Sequence, residues 1–463
     1  MSVRLTLKNF RCFSDQSPVT IDISDGFTAL IGQNNSGKSS LLRFIYECRG
    51  IFSMLTAGGS MLAAIEGSKF GAPPQNVSDS LEIYCNQNER PLSVTVEVRT
   101  EPGSQSQLAK AEFTSSKSDP GNWTASYWTS DHRKLEATRG TLRFAEPTTV
   151  ARDDGNPLVD FAVMNSAATK LLGSMYMPAF RNILTQSGDR PYGVPLGTDF
   201  VNDWASWKMG RERRLNAKAQ KIAADIREIF GLTQLEINPS EDRKTLHIVL
   251  DGKAYMLAEL GAGLAQFIVT FVNVAMREPA ILLIDEPESN LHPALQMRFL
   301  TGLASYVQHG VVFATHSIGL ARSTAERIYS IKKNGNTSTV HPFERTPNYA
   351  EFLGEMSFST FTELGFKHLL LVEGVTEVTT FQQFLRQLGL DHLVVVVPLG
   401  GSALISAGRD QELSELKRIT SNISVIIDSE RSEAGATLAG DRTAFSATCT
   451  KLSIPILGIC QRA

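Results

Sequence analysis

The stretch Gly32-Gln33-Asn34-Asn35-Ser36-Gly37-Lys38-Ser39 constrains this chain more than any other. It satisfies G-x-x-x-x-G-K-[ST], and an apolar run, Phe27 to Ile31, enters it while a helix-like run, Ser40 to Ile45, leaves it. A strand-to-helix turn of this composition cradles phosphate. Gly32 and Gly37 let the backbone N–H groups of Asn34, Asn35, Ser36 and Ser40 turn toward an anion, and Lys38 brings a positive charge to the β- and γ-phosphates of ATP. The Ser39 hydroxyl is a ligand type that suits Mg²⁺.

At 463 residues the chain has room for two or three domains. Its 45 basic and 48 acidic side chains leave a net charge of −3, so no global positive field announces a nucleic-acid partner, though a local stripe would serve. Charged residues at 20% and apolar residues at 42% exclude a disordered chain. Cys12, Cys48, Cys85, Cys449 and Cys460 are scattered, with no C-x-x-C pair, and read as reduced thiols of a cytoplasmic protein. No secretory h-region opens the sequence, and no run approaches the roughly 18 apolar residues of a membrane span.

Residues 3–7 and 19–23 alternate as short strands before the one that feeds the phosphate loop. The segment Leu7-Lys8-Asn9-Phe10-Arg11-Cys12-Phe13, followed by that loop, resembles the amino end of ABC-type ATPases of DNA repair and chromosome maintenance. From about 50 to 255 the pattern suggests insertions. Gly58-Gly59, Pro73-Pro74 and the Ser/Gly-rich residues 103–121 punctuate a β-rich part, with a strand expected at residues 93–98. Trp123, Tyr127 and Trp128 read either as base-stacking aromatics or, favoured by strand propensity, as a half-buried strand face. Residues 199–230 read as a helical arm, apolar at Ile222, Ile226, Ile229 and Phe230 and basic at Arg211, Arg213, Arg214, Lys218 and Lys221. Such a stripe is either a phosphate contact or a solvated face of a helical arm or dimer contact.

Residues 280–284 form a continuous apolar strand ending in Asp285-Glu286, the Walker B arrangement. Asp285 is expected in the Mg²⁺ shell, and Glu286 is expected to orient or deprotonate the attacking water. A second apolar strand, residues 311–315, ends in His316. In ABC-type enzymes the corresponding elements are a D-loop, here from Pro287 to Pro293, and a switch histidine that senses the γ-phosphate. Gly261-Ala262-Gly263-Leu264-Ala265-Gln266 resembles a degenerate ABC signature, which implies an ATP-sandwiching homodimer. Arg181 reads either as a nucleotide-side residue or as a surface arginine.

The pattern then restarts. Residues 368–372 are a buried strand ending in Glu373-Gly374, a helix is expected over about 377–388, and strands 393–397 and 423–427 end in Pro398 and Asp428. Alternation of this length implies a small parallel sheet with ligands beyond the strand carboxyl ends. Glu373, Asp428 and Glu430 fall on that edge, and carboxylates without His or Cys suit Mg²⁺ or Mn²⁺. The order E-G-x-x-E, a G-G loop, then D-x-E resembles a Toprim domain, with Glu373 and Glu377 as first acids and Asp428 and Glu430 as the later pair. The chain stops soon after a last strand at residues 454–459, so this domain is expected to be short at its C-terminus.

An ABC-type ATPase followed by Toprim resembles the OLD (overcoming lysogenization defect) nucleases, some of which act in antiphage defence. The expected fold is α/β: an ABC-type P-loop ATPase domain over 1–345 with β-rich and helical insertions, a linker over 346–365, and a Toprim domain over 366–463. The resemblance implies an ATP-regulated, divalent-metal-dependent DNA endonuclease, dimeric or of higher order, with a defence-system protein or nucleic acid as a further partner. The alternative is an ATP-dependent DNA clamp or sensor whose Toprim unit docks and does not cut.

Overall fold

In the computed structural model the chain divides into two compact units, Met1–His341 and Pro342–Ala463. The structure describes residues 2–99, 106–137, 141–146, 148–152, 157–179, 191–343, 368–391, 393–399, 413, 422–428, 438 and 440–460. Arg181, Glu430 and the 346–365 linker lie outside the described residues.

The first unit is built on a six-stranded sheet in the order Ser174–Met177, Ile281–Asp285, Gly310–Thr315, Gly26–Gly32, Arg327–Asn334 and Thr337–Pro342. The first five pair in parallel. Every residue of Ile281–Asp285 and Gly310–Thr315 is buried, which is why these strands read as unbroken apolar runs rather than alternating ones. The register sets Thr315 beside Ile31 and Asp285 beside Ala314. Three adjacent strands therefore deliver the phosphate loop, His316 and the Asp285-Glu286 pair to one carboxyl edge.

A second, antiparallel sheet runs in the order Val19–Ile23, Val3–Lys8, Leu92–Val98, Leu108–Ser115, Asn122–Thr129 and Phe70–Gly71. Its core face joins one apolar cluster with the helix Lys38–Glu47, through Leu41, Leu42, Phe44 and Ile45. Trp123 and Tyr127 are buried in it, and the Trp123 indole donates to the Ala72 carbonyl at 3.0 Å. Neither can stack on a base. Trp128 is half-buried beneath the Lys110 ammonium, 4.7 Å from its ring centre.

The Asn9–Phe13 segment is a brace between that sheet and the phosphate-loop helix. Phe10 and Phe13 are fully buried, and Phe10 meets Phe44 edge-on at 5.2 Å. Arg11, at φ 46°, reaches Glu47 on the last turn of the helix at 2.8 Å. Gly37 has φ 105°, and a Cβ there would lie 2.6 Å from Cys12 Sγ, so the brace packs directly under the loop.

The stretch read as one arm is two helices, Gly197–Met209 and Arg213–Phe230, interrupted at Gly210. They do not project. Phe230 lies 4.5 Å from Phe267, Trp204 donates to the Ile237 carbonyl at 3.0 Å, and Lys218 pairs with Glu278 at 2.8 Å. Lys221 reaches over the Tyr306 ring but stays exposed, so Arg211, Arg213, Arg214 and Lys221 form the exposed part of the basic stripe. The packing partner is the helix Ala262–Arg277, apolar on nearly all sides and buried accordingly.

The second unit holds a four-stranded parallel sheet in the order Val394–Pro398, His368–Val372, Ile423–Asp428 and Ile456–Cys460. Helices Val375–Gln387 and Gly440–Lys451 accompany it, and Leu370, Val372, Val378 and Val396 form its apolar cluster. Among the described residues no helix is long and apolar enough to cross a membrane.

The Arg11–Glu47 pair yields a stability prediction. Burial raises the Glu47 carboxyl above its ordinary value, and Arg11 opposes that shift. Arg11→Ala strands a buried charge and should cost about 3–5 kcal/mol in denaturant unfolding. An Arg11→Met/Glu47→Met double variant should recover most of the loss. Because the folded pKa of Glu47 is raised, its favourable contribution is complete below the unfolded value of about 4.3 and is lost as the pH rises through the folded one. The Arg11→Ala deficit should therefore shrink near pH 4 relative to pH 7.

Candidate functional site

The site begins with a lysine taken out of water. Lys38 opens its helix and is buried; its Nζ donates to the Gly32 and Gln33 carbonyls at 2.8 Å each and lies 3.3 Å from His316 Nε2. Burial pushes its pKa down to about 8, against the opposing pull of Asp285, Glu286 and Glu288. The remaining loop residues split by exposure. Gln33, Asn34 and Asn35 form the exposed rim, with Asn35 at φ 61°, while Ser36 is buried and its Oγ has no hydrogen-bond partner. Ser39 and Ser40 are half-buried on the first helical turn, and no side chain caps that end. The free N–H groups there are what an anionic ligand satisfies.

Asp285 ends its strand buried, and burial raises its carboxyl, with the Ser39 hydroxyl the strongest opposing influence. Tyr176 Oη donates to Asp285 Oδ2 at 3.3 Å, whereas Oδ1 is buried with no partner. A buried, unpaired carboxylate oxygen beside a serine hydroxyl fits a hard divalent cation, and Ser39 and Asp285 are the residues that would hold Mg²⁺.

Glu286 adopts φ 47°, a left-handed backbone that a glutamate takes only when its surroundings enforce it. Its N–H donates to the Ala314 carbonyl at 2.9 Å, and its Oε1 lies 3.0 Å from His316 Nε2. That histidine holds the Glu286 carboxyl below the usual range, so Glu286 is an ionised acceptor. Glu288 accepts from the Thr315 hydroxyl at 2.6 Å and from the His316 N–H at 2.8 Å. It ties the turn after Asp285 to the start of the segment that carries His316.

Two of these residues escape sequence reading. Tyr176 lies 109 positions from Asp285 and carries no motif. Glu288 had a faint signal, a third carboxylate two places beyond an acidic pair. The stretch resembling an ABC signature joins the same cluster: a Cβ on Gly263 would lie 2.0 Å from the Asn290 carbonyl, and Asn290 donates to Gln266 at 3.0 Å.

In the second unit, Glu373 follows its strand and Asp428 ends the neighbouring one, and the Asp428 N–H donates to Glu373 Oε2 at 2.9 Å. The other oxygen, Oε1, is held by the buried Arg442 at 2.5 Å. Glu377 folds over the start of its helix, its Oε2 2.9 Å from where a Gly374 Cβ would be. Among the described residues no group of three His, Cys, Asp or Glu side chains could hold a metal ion. Glu373 thus carries one hydrogen bond on each oxygen, and Arg442 supplies a positive charge beside it.

A family model described as an AAA ATPase domain matches residues 1–136. Another, described as an AAA domain, putative AbiEii toxin, type IV TA system, matches residues 198–322. No curated protein matches the chain. Among solved structures, the SMC head bound to the C-winged helix domain of ScpA is 14% identical, covering 73% of this chain and 97% of its own, with a TM-score of 0.43. The SMC head domain from Thermotoga maritima is 16% identical with the same coverage and a TM-score of 0.35. The Smc head domain with an extended coiled coil, bound to the C-terminal domain of ScpA derived from Pyrococcus furiosus, is 15% identical, covers 74% of this chain and 96% of its own, and has a TM-score of 0.38. The two family models span the phosphate loop and the Asp285–His316 region, so both halves of the nucleotide site fall within matches to AAA-type ATPase domains.

Proposed function

We propose that the chain is an ATP-hydrolysing switch whose nucleotide cycle governs its second unit. The observation that carries this reading is the convergence of Lys38, Asp285, Glu286 and His316 at the ends of three adjacent parallel strands. Phosphate oxygens would take over the Lys38 contacts to the Gly32 and Gln33 carbonyls. Glu286 accepts a proton from water as that water attacks the γ-phosphorus and the bond to the bridging β–γ oxygen breaks, ADP leaving with the electron pair. His316, 3.0 Å from Glu286, keeps the carboxylate turned toward that position. Mg²⁺, when bound, neutralises phosphate charge. The Gly261–Gln266 stretch, seated on Asn290, supports a second copy of the chain as the closing partner over the nucleotide.

For the second unit, the finer reading is a divalent-metal-dependent DNA endonuclease in antiphage defence, as the resemblance to OLD nucleases implies. The adjacency of Glu373 and Asp428 at the carboxyl edge of a parallel sheet supports it. The Arg442–Glu373 pair favours a second reading, a docking module that does not cut, because a guanidinium already balances the charge a metal would balance.

Two experiments follow. Lys38→Ala should abolish ATP binding in a calorimetric titration, whereas Glu286→Gln should bind ATP and hydrolyse it about 10²–10⁴-fold more slowly; wild-type rates in Glu286→Gln would remove Glu286 from the mechanism. Plasmid nicking in Mg²⁺ or Mn²⁺, with and without ATP, separates the readings of the second unit. Nicking lost in Glu373→Ala and Asp428→Ala supports the nuclease; no nicking by a chain that hydrolyses ATP supports the docking module.

A further inference from the structure

Tyr176 lies in the strand Ser174–Met177, beside Leu283 in parallel register, and is 2% exposed. Alternate residues of a strand share a face, so its ring lies along the side of the neighbouring strand that carries Leu283 and Asp285. From there the hydroxyl reaches Asp285 Oδ2 at 3.3 Å. The ring is fixed from the other side. It meets Tyr192 edge-on at 4.7 Å, and Tyr192 meets Tyr46 edge-on at 5.6 Å, on the phosphate-loop helix. Tyr192 itself is held at φ 53°, uncommon for an aromatic residue, and hydrogen-bonds Arg43 of the same helix. Three tyrosines thus connect the helix that begins at Lys38 to the carboxylate across the sheet.

Chemistry makes the contact one-directional. A phenol is protonated at neutral pH and a carboxylate oxygen only accepts, so the Tyr176 hydroxyl is the donor. With Oδ2 occupied, the buried Oδ1 is the oxygen left for another partner.

We propose that Tyr176 is a positioning residue for the Mg²⁺-bearing carboxylate: it satisfies one oxygen of Asp285, sets the rotation of the carboxylate, and presents the other oxygen to the cation beside Ser39. This rests on the ATPase reading of the site. Partners that orient a metal ligand from behind typically contribute 10–100-fold in metal affinity.

The test is Tyr176→Phe in the full chain, which removes one oxygen and keeps the ring against Tyr192. Fluorescent-nucleotide titration in EDTA should give wild-type affinity, while the Mg²⁺ concentration that half-saturates the Mg²⁺-dependent gain in affinity should rise about 10–100-fold. Hydrolysis should return toward the wild-type rate at high Mg²⁺, which a loss of packing alone would not allow. In an Asp285→Asn background, adding Tyr176→Phe should change nothing further. Unchanged Mg²⁺ dependence, a loss that Mg²⁺ does not restore, or additive effects of the two substitutions would each overturn the proposal. If Tyr176→Phe melts without a cooperative transition, Tyr192→Phe, which leaves the Tyr176 hydroxyl in place, should keep wild-type Mg²⁺ dependence; a shift there as large as that expected for Tyr176→Phe would also overturn it. A wild-type chain that binds Mg²⁺-nucleotide without hydrolysing it would refute the ATPase reading, and the affinity measurement would still decide the role of Tyr176.

Discussion

A buried ammonium is the constraint on which the first unit depends. Lys38 has two backbone carbonyls and a histidine in reach and three carboxylates close enough to hold its proton on, yet burial still brings its pKa to about 8. Charge inside a protein must be balanced locally, because the solvent that would otherwise screen it has been removed. The balance explains why the carboxyl edge is assembled as it is: each carboxylate arrives from the turn after Ile281–Asp285, and each needs its own donor. Asp285 has Tyr176 and Ser39, Glu286 has His316 and Ser289, and Glu288 has Thr315 and the His316 N–H.

Much of that edge was legible in the sequence, since the phosphate loop, the apolar run before Asp285 and the one before His316 are local patterns tied to strand ends. The parallel sheet of the second unit was legible for the same reason, down to strands displaced by a residue or two. What could not be read was what meets what across the fold. Tyr176 and Arg442 look like any strand tyrosine and any helix arginine until the sheet brings one to Asp285 and the other to Glu373. The arm failed differently: its apolar stripe was seen, but the helix is interrupted at Gly210, the stripe packs onto the ATPase unit, and Lys218, read as part of the basic stripe, is paired with Glu278.

The two units use one architectural rule for unlike ends. Both place acids beyond the carboxyl ends of parallel strands, where backbone N–H groups are free to receive them. At the phosphate-loop edge of the first unit two buried carboxylate oxygens, Asp285 Oδ1 and Glu288 Oε2, are left without a partner; in the second unit each oxygen of Glu373 accepts a hydrogen bond from the chain itself. An acid with an unmet valence is prepared for a ligand. An acid that accepts from a backbone N–H and a guanidinium contributes to holding its surroundings together, and Arg442 already balances its charge.

The close seat of Gly263 on Asn290 has a mechanical meaning. With the backbone of one residue against the carbonyl of the other, and Asn290 itself at φ 61°, the start of the helix Ala262–Arg277 and the turn that carries Glu286 behave as meshed teeth. A close-packed contact of this kind does not compress. A shift of that turn would therefore press directly on the start of this helix, whose flank carries Phe230 and the two-helix insert.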